Sequence, residues 1–342
     1  MRWLNVLVIF ATFFSYLSPL VNPNQFWIFS FFGLIYPWLL LSNIIFIIYW
    51  GIKKRKYLLF SLGSIVLGWG HFKSFVGFNF ATQIPSEKVV TIGSYNIHGL
   101  IQIQREKDKA EKKKQMADLK QLLDAQKKVD ILCTQETGSL GFRFIEENLN
   151  LPFVHTIKGK GAAIFSKYQI LNFGEIDFDK TTNSCLWADI KIENETFRVY
   201  SVHLQSNHVS TVATKVIKEK EIGKKETFKD VKSMMGRFRF FVKVRVNQAQ
   251  SIADHMNNCP YPIILCGDFN DTPQSYTYQI LTQNLKDTFK EKGRGLGTTY
   301  AGSIPALRID YILTDEELMI YSHEILRTNY SDHYPVICKI SL

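Results

Sequence analysis

The apolar positions of this chain change their spacing near residue 86. Before it they form long runs. Residues 3–21 are almost wholly apolar, and residues 26–50 make a second run broken only by Pro37 and a few small polar residues. Each meets the roughly 20 residues that a helix needs to cross ~30 Å of hydrocarbon. Asn22-Pro23-Asn24 reads as a turn between them, and Lys53-Lys54-Arg55-Lys56 stops the second run. A third, weaker run at 57–80 is interrupted by Gly63 and Gly68, and it crosses only if His71 and Lys73 are tolerated near an interface. The pattern predicts a membrane anchor over residues 1–86 with two or three transmembrane helices, at 3–21, 26–50 and 57–80.

Beyond Pro85 the runs shorten, and β-rich stretches alternate with polar helical ones. Strands are predicted at 89–95, 131–135, 162–165, 186–192, 197–204, 262–266, 309–313 and 335–340. Helices are predicted at 105–128 and 244–257, and no internal repeat stands out. This is an α/β pattern, filling residues 87–342.

Charge sharpens the boundary. Residues 1–86 hold no Asp or Glu and only six Lys or Arg, so all 31 acids lie beyond it with 35 of the 41 basic residues. The second part is therefore near balance at +4, and the overall surplus of +10 is weak evidence for nucleic-acid binding. The lack of any acid over 86 residues argues against a buried hairpin of a soluble protein. A cleaved signal peptide is disfavoured because a second apolar run follows with no small-residue cleavage site between. The five cysteines are odd in number and fit no zinc spacing; Cys133, Cys266 and Cys338 sit inside apolar runs and read as buried thiols.

The chemistry lies at the ends of the predicted strands. The first ends in Asn96 and the second in Glu136; the strand at 197–204 carries His203. The strand at 262–266 runs into Gly267-Asp268-Phe269-Asn270-Asp271, the one at 309–313 contains Asp310, and Asp332-His333 precedes the last. Each alone is compatible with a turn, a solvated acid or a core histidine. Together they are the set needed to cut a phosphate ester. A hard ion such as Mg²⁺ takes oxygen ligands; Glu136 is the natural one, with Asn96, Asp332 or Asp268 nearby. A histidine oriented by an aspartate suits a general base. Asn270 and His203 can donate hydrogen bonds to the phosphate.

In this order, Ser-Tyr-Asn96-Ile-His, Thr-Gln-Glu136, Ser-Val-His203-Leu, Gly-Asp268-Phe-Asn270-Asp-Thr-Pro, Arg-Ile-Asp310-Tyr-Ile-Leu and Ser-Asp332-His333-Tyr-Pro-Val resemble the endonuclease/exonuclease/phosphatase superfamily. The resemblance implies a four-layer α-β-β-α sandwich of the DNase I-like type and a Mg²⁺-dependent (Mn²⁺ is an alternative) phosphoric ester hydrolase. It implies metal-side roles for Asn96, Glu136 and Asp332. It implies a water-aligning or activating role for Asp268, phosphate contacts for Asn270 and His203, and orientation of His333 by Asp310. How base and water-aligning roles divide between Asp268 and His333 stays open. One departure is Gln169, where the family often has Pro, in a turn away from the site.

Between the His203 and Asp268 strands, residues 215–245 form an excursion with eleven basic and four acidic residues, Met234-Met235, and Phe238, Phe240 and Phe241. It reads either as a solvated helix or as a surface for anionic lipid headgroups or a nucleic-acid backbone. The expected partners are a lipid bilayer and a phosphate-ester substrate, either nucleic acid or phospholipid headgroup. The alternative function is an inactive, membrane-bound binding module for the same ligands. The Lys53–Lys56 cluster in a short loop points to the cytoplasmic side. With a third span, the catalytic domain of this multi-pass membrane protein lies outside the cytoplasm.

Overall fold

The computed structural model describes residues 1–79, 89–126, 128–178, 181–206, 225–302 and 304–341. Residues 1–79 form helices α1 (Arg2–Leu17), α2 (Pro23–Phe26), α3 (Ile28–Leu34), α4 (Tyr36–Lys53), α5 (Arg55–Leu67) and α6 (Trp69–Lys73), then strand β1 (Val76–Phe78). The run at 26–50 is not one helix. It breaks at Ile35 between α3 and α4, and Pro37 falls in the first turn of α4, where its missing N–H leaves no helical bond unmade. The run at 57–80 ends as helix at Lys73, with Gly68 parting α5 from α6. Phe80 lies outside the described residues.

Helices α1, α4 and α5 pack into one bundle. Among the described helices, α4 is the one long and apolar enough to cross a membrane, and α1 is apolar but shorter. At 1.5 Å per residue these are about 27 and 24 Å long. The outside of the bundle is apolar, and inside it buried polar groups lie beside an apolar cluster of Tyr36, Leu40 and Ile65. Asn5, Thr12, Asn43, Ser61 and Ser64 are buried, whereas Leu7, Phe10, Ile45, Ile48, Leu59 and Phe60 are exposed. The buried groups satisfy one another. Asn5 Nδ2 donates to Ser61 Oγ (2.7 Å), Trp50 Nε1 to Asn5 Oδ1 (2.9 Å), and Asn43 Nδ2 to Thr12 Oγ1 (2.9 Å).

The rest of the chain builds two six-stranded sheets. In chain order the elements are β2 (Val89–Asn96), α7 (Ile101–Arg105), α8 (Lys109–Lys120), β3 (Ile131–Gln135), α9 (Gly138–Asn148), β4 (Phe153–Thr156) and β5 (Ala163–Ser166). Then come β6 (Ile170–Ile176), β7 (Ser184–Ile192), β8 (Glu195–His203), α10 (Lys225–Asn257), β9 (Ile263–Asp268), α11 (Tyr276–Leu281), β10 (Leu285–Asp287) and α12 (Thr288–Lys292). The chain ends with β11 (Arg294–Leu296), β12 (Asp310–Asp315), β13 (Ile320–Ile325) and β14 (Val336–Ser341). One sheet has the order β10-β12-β9-β8-β7-β6, the other β13-β14-β2-β3-β5-β4, and β1 pairs with β11. Each large sheet has one parallel pair, β8–β9 and β2–β3.

All eight strands expected from sequence are present. The four edge strands, β4, β6, β10 and β13, were not expected. Their mixed exposure leaves no clean alternation of apolar and polar positions. Ile92, Ile131, Ile164, Leu186, Ile264 and Ile312 belong to the apolar core shared by the sheets. A second cluster joins one outer face to α10 and α11, and a third joins the other to α8 and α9. The layers are therefore helix, sheet, sheet, helix. Cys133, Cys266 and Cys338 lie in the inter-sheet core as free thiols.

Candidate active site

Strand register assembles the site. Asp310 pairs with Asp268, and Asp268 pairs with His203, so the three stand in one transverse row at the end of a sheet. In the other sheet Asn96 lies opposite Gln135, and Glu136 follows at the strand end. His333 immediately precedes the turn into β14.

Hydrogen bonds lock these side chains together. His333 Nδ1 lies 3.0 Å from each oxygen of Asp310. That assigns the Nδ1 proton to the carboxylate and turns Nε2 inward, 3.8 Å from Asp268 Oδ2. Asp268 accepts from Asn270 N (2.8 Å), Asn270 Nδ2 (3.2 Å) and Asn96 Nδ2 (3.0 Å). Asn96 Nδ2 also reaches Glu136 Oε1 at 3.2 Å. His203 Nε2 stands 3.6 Å from Glu136 Oε1 and 3.9 Å from Asp268 Oδ2. Asp332 Oδ1 is bonded to His98 Nδ1 at 2.8 Å.

The backbone is bent to aim these groups. His98 (φ 45°), Glu136 (φ 47°) and Asn270 (φ 51°) occupy the left-handed region, which costs a residue with a side chain and is concentrated at functional loops. Gly267 has φ 147°, and a Cβ there would fall 2.0 Å from Val202 O. Supporting residues fix the loops. Ser331 Oγ donates to Asn96 O, Thr299 Oγ1 accepts from Ile309 N and Asp310 N, and the buried Arg245 donates to Asp271 Oδ2 and Gln205 O.

Burial and charge set the protonation. Burial alone would lower His333, but the Asp310 and Asp268 carboxylates raise its pKa well above an ordinary histidine. Burial, with Asp310 nearby, raises Asp268. Burial lowers His203. The hydrogen bond to Asp332 raises His98, and Asp332 is held low by His98 in spite of its own burial.

Two places could hold a cation. Asp268, Asp310 and His333 offer ligand atoms within 4.8 Å of one another. Those atoms already have N–H partners: His333 Nδ1 serves both Asp310 oxygens, and three N–H groups serve Asp268. Glu136 is different. Its side chain is 41% exposed and, together with His98, lines a cleft of about 840 Å³. Hard oxygen donors at a solvent-reached wall fit Mg²⁺ or Mn²⁺. The cleft is also lined by Ile101, Phe142, Ile157, Arg143 and Lys158, with Glu146 as its other acid.

All eight residues singled out from the sequence, Asn96, Glu136, His203, Asp268, Asn270, Asp310, Asp332 and His333, meet in this region. One oxygen of Asp332 is taken by His98, as one oxygen of Glu136 is taken by Asn96 Nδ2. His98 was quoted in a motif but given no role; its signal was its place two residues after Asn96. Ser331 likewise stood in a quoted motif without a role, and Thr299, Arg143 and Lys158 carry no local sequence signal at all. Of the basic excursion, residues 215–224 and the side chains of 225–231 lie outside the described residues.

Residues 93–333 match the model of the Endonuclease/Exonuclease/phosphatase family, and residues 1–75 match that of a domain of unknown function. No curated protein matches the chain. Among solved structures, an endonuclease/exonuclease/phosphatase family protein from Bacteroides thetaiotaomicron is similar at 18% identity and TM-score 0.54, covering 75% of this chain and 98% of that one. A mannosyl-6-phosphatase of the same organism is similar at 20% identity and TM-score 0.51, covering 74% and 100%. Humanized D. rerio TDP2 is similar at 15% identity and TM-score 0.54, covering 74% and 99%. Identities this low speak for the fold, and the match over residues 93–333 speaks for descent: the chain belongs to the endonuclease/exonuclease/phosphatase family.

Proposed function

We propose that this chain is a divalent-metal-dependent phosphoester hydrolase tethered to a membrane. Members of its family are phosphoester hydrolases that use divalent metals. The observation that carries the reading is the row Asp310–Asp268–His203, with His333 locked to Asp310 and His203 Nε2 standing 3.6 Å from Glu136 Oε1.

Glu136, Asn96 and Asp332 would hold the metal. Bound there, it supplies charge neutralisation for the phosphoryl oxygens and the leaving group. The other roles belong to the chain. Asp310 holds the Nδ1 proton of His333, so that Nε2 is presented to the reacting centre. Asp268 lies between that Nε2 and the Asn270 amide, where it aligns the attacking water and receives its proton. His203 donates a hydrogen bond to a phosphoryl oxygen, and the Asn270 amide, bonded to Leu204 O and Asp268 Oδ2, turns to a second one when substrate enters.

The test uses the full chain in detergent and bis-p-nitrophenyl phosphate. Turnover should need Mg²⁺ or Mn²⁺, cease on chelation and return on re-addition. Full turnover in excess EDTA would refute the metal-dependent mechanism.

The tether rests on the apolar exterior of the α1–α4–α5 bundle and on the mutually hydrogen-bonded polar groups buried within it, a combination that suits lipid as the surrounding solvent. Arg2 stacks on Tyr57 at 4.7 Å, so the start of α1 and the Lys53–Lys56 cluster share one end of the bundle. By the bias of short basic loops, that end is cytoplasmic and the catalytic domain lies on the other side.

A further inference from the structure

We propose that the substrate is a phosphate ester carried by a membrane lipid, hydrolysed at the level of the headgroups. This rests on the tethered-phosphoesterase reading above.

The argument begins with where the helical unit touches the catalytic domain. Thr272, two residues past Asn270, donates to Gly33 O at 3.3 Å. Gly33 lies so close to the next loop residues that a Cβ there would sit 2.2 Å from Gln274 O. Arg308, two residues before Asp310, donates through Nη1 to Ser74 O at 3.0 Å. Strand β1 pairs with β11, and Gly297 N bonds Phe75 O at 2.9 Å. Leu34, with Trp27, Phe31 and Trp38, shares an apolar cluster with Phe238, Leu307, Ile309 and Tyr300. The Tyr300 ring in turn packs on His333, with centroids 5.3 Å apart.

These contacts fall on the segments that flank Asn270, Asp310 and His333. The helical unit is thus seated on one rim of the catalytic end of the sandwich, and one side chain, Tyr300, separates it from the catalytic histidine. The contacting end of the bundle is the one away from the basic cluster. It carries Trp27, Trp38 and Trp69, the residue type that marks a membrane–water interface. If the bundle is in lipid, the catalytic end is held at the headgroup layer, where lipid phosphates lie.

Two further features suit that layer. The described part of α10 has no acid from Lys232 to Ala253, and it exposes Lys232, Arg237, Arg239 and the ring of Phe240, which is 62% exposed. Basic side chains beside an exposed aromatic suit anionic headgroups over an acyl boundary. The cleft beside Glu136 combines apolar Ile101, Phe142 and Ile157 with basic Arg143 and Lys158, a lining for an amphiphile that carries phosphate. In the reaction, a water oxygen bonds to phosphorus as one P–O ester bond breaks. The water provides both the new P–OH hydrogen and the proton taken by the leaving oxygen.

The experiment uses the full chain with Mg²⁺ in mixed detergent micelles. Separate arms hold phosphatidylglycerol, phosphatidylethanolamine, phosphatidic acid or a polyprenyl diphosphate. Single-stranded DNA, duplex DNA and RNA form parallel arms, and bis-p-nitrophenyl phosphate is the soluble control. At least one lipid arm should turn over faster than every nucleic-acid arm. Its rate should follow the mole fraction of lipid in the micelle rather than bulk concentration. Phe240→Asp should lower the ratio of lipid to soluble-diester turnover about tenfold, the scale of one lost aromatic burial. Turnover of bis-p-nitrophenyl phosphate with no lipid cleaved, or nucleic acid cleaved faster than every lipid, overturns the lipid proposal and leaves the phosphoesterase reading standing. No turnover in any arm overturns both.

Discussion

Glu136 shows how much rests on single atoms at this site. Its carboxylate is the acidic group of the cluster that faces the cleft, and its left-handed backbone (φ 47°) aims it there. Glu136→Gln keeps the shape but removes the anionic oxygen that a hard cation needs. Turnover in Mg²⁺ should fall at least about a hundredfold, with the thermal unfolding midpoint measured in EDTA unchanged. The Asp310–His333 pair makes a different prediction. In the proposed mechanism Asp310 acts through the Nδ1 proton of His333, so Asp310→Asn and His333→Gln should each cost about 10²–10⁴ in kcat. The double variant should cost little more, as groups acting as a unit do. Additive losses in the cycle would show that the two work separately.

At the scale of elements, β12 ties the site to the rest of the fold. Arg308, fully buried just before β12, is paired with Asp287 at the end of β10, and its other bond holds Ser74 O. Removing one partner strands a buried charge, so Arg308→Met should destabilise the chain by about 3–5 kcal/mol, and Asp287→Leu on that background should recover much of the loss. Burial alone would raise Asp287, but Arg308 holds it below the usual carboxylate range. Its contribution is therefore present above the unfolded pKa of about 4 and is lost as pH falls through the lower folded value. Denaturant unfolding from pH 7 to pH 3 should show a steeper acid loss in the wild type than in the double variant. The four edge strands belong to this scale too. They escaped the sequence pattern because their positions are set by pairing with a neighbour, and their own side chains are half in water.

At the scale of the molecule the question is which side of a membrane the site faces. An alkaline phosphatase reporter fused after residue 86 should be active outside the cytoplasm, and one fused after residue 54 should be inactive. A fusion at 86 that is synthesised but inactive, like the one at 54, would overturn the three-span arrangement. The apolar exterior of the bundle adds a second measure. Ile45→Asp on the exposed face of α4 should reduce insertion by about 2.5–3.5 kcal/mol, visible as loss of membrane-bound protein.

The sequence by itself determined where the polarity changes, which buried strands exist and which polar residues stand at their ends. Those depend on local runs and on motifs a few residues long, as in Gly267-Asp268-Phe269-Asn270. Tertiary structure alone decided three things. It placed Asp310, Asp268 and His203 in one row, because register between distant strands is a property of the sheet. It gave His98 a partner in Asp332, 234 positions away, and buried Arg308 against Asp287 and Ser74. It seated the helical unit on the rim of the site, through side chains such as Phe238 and Tyr300 that meet only after both parts fold. Contacts between segments so far apart in the chain leave no period in the sequence, because no local geometry links the residues that make them.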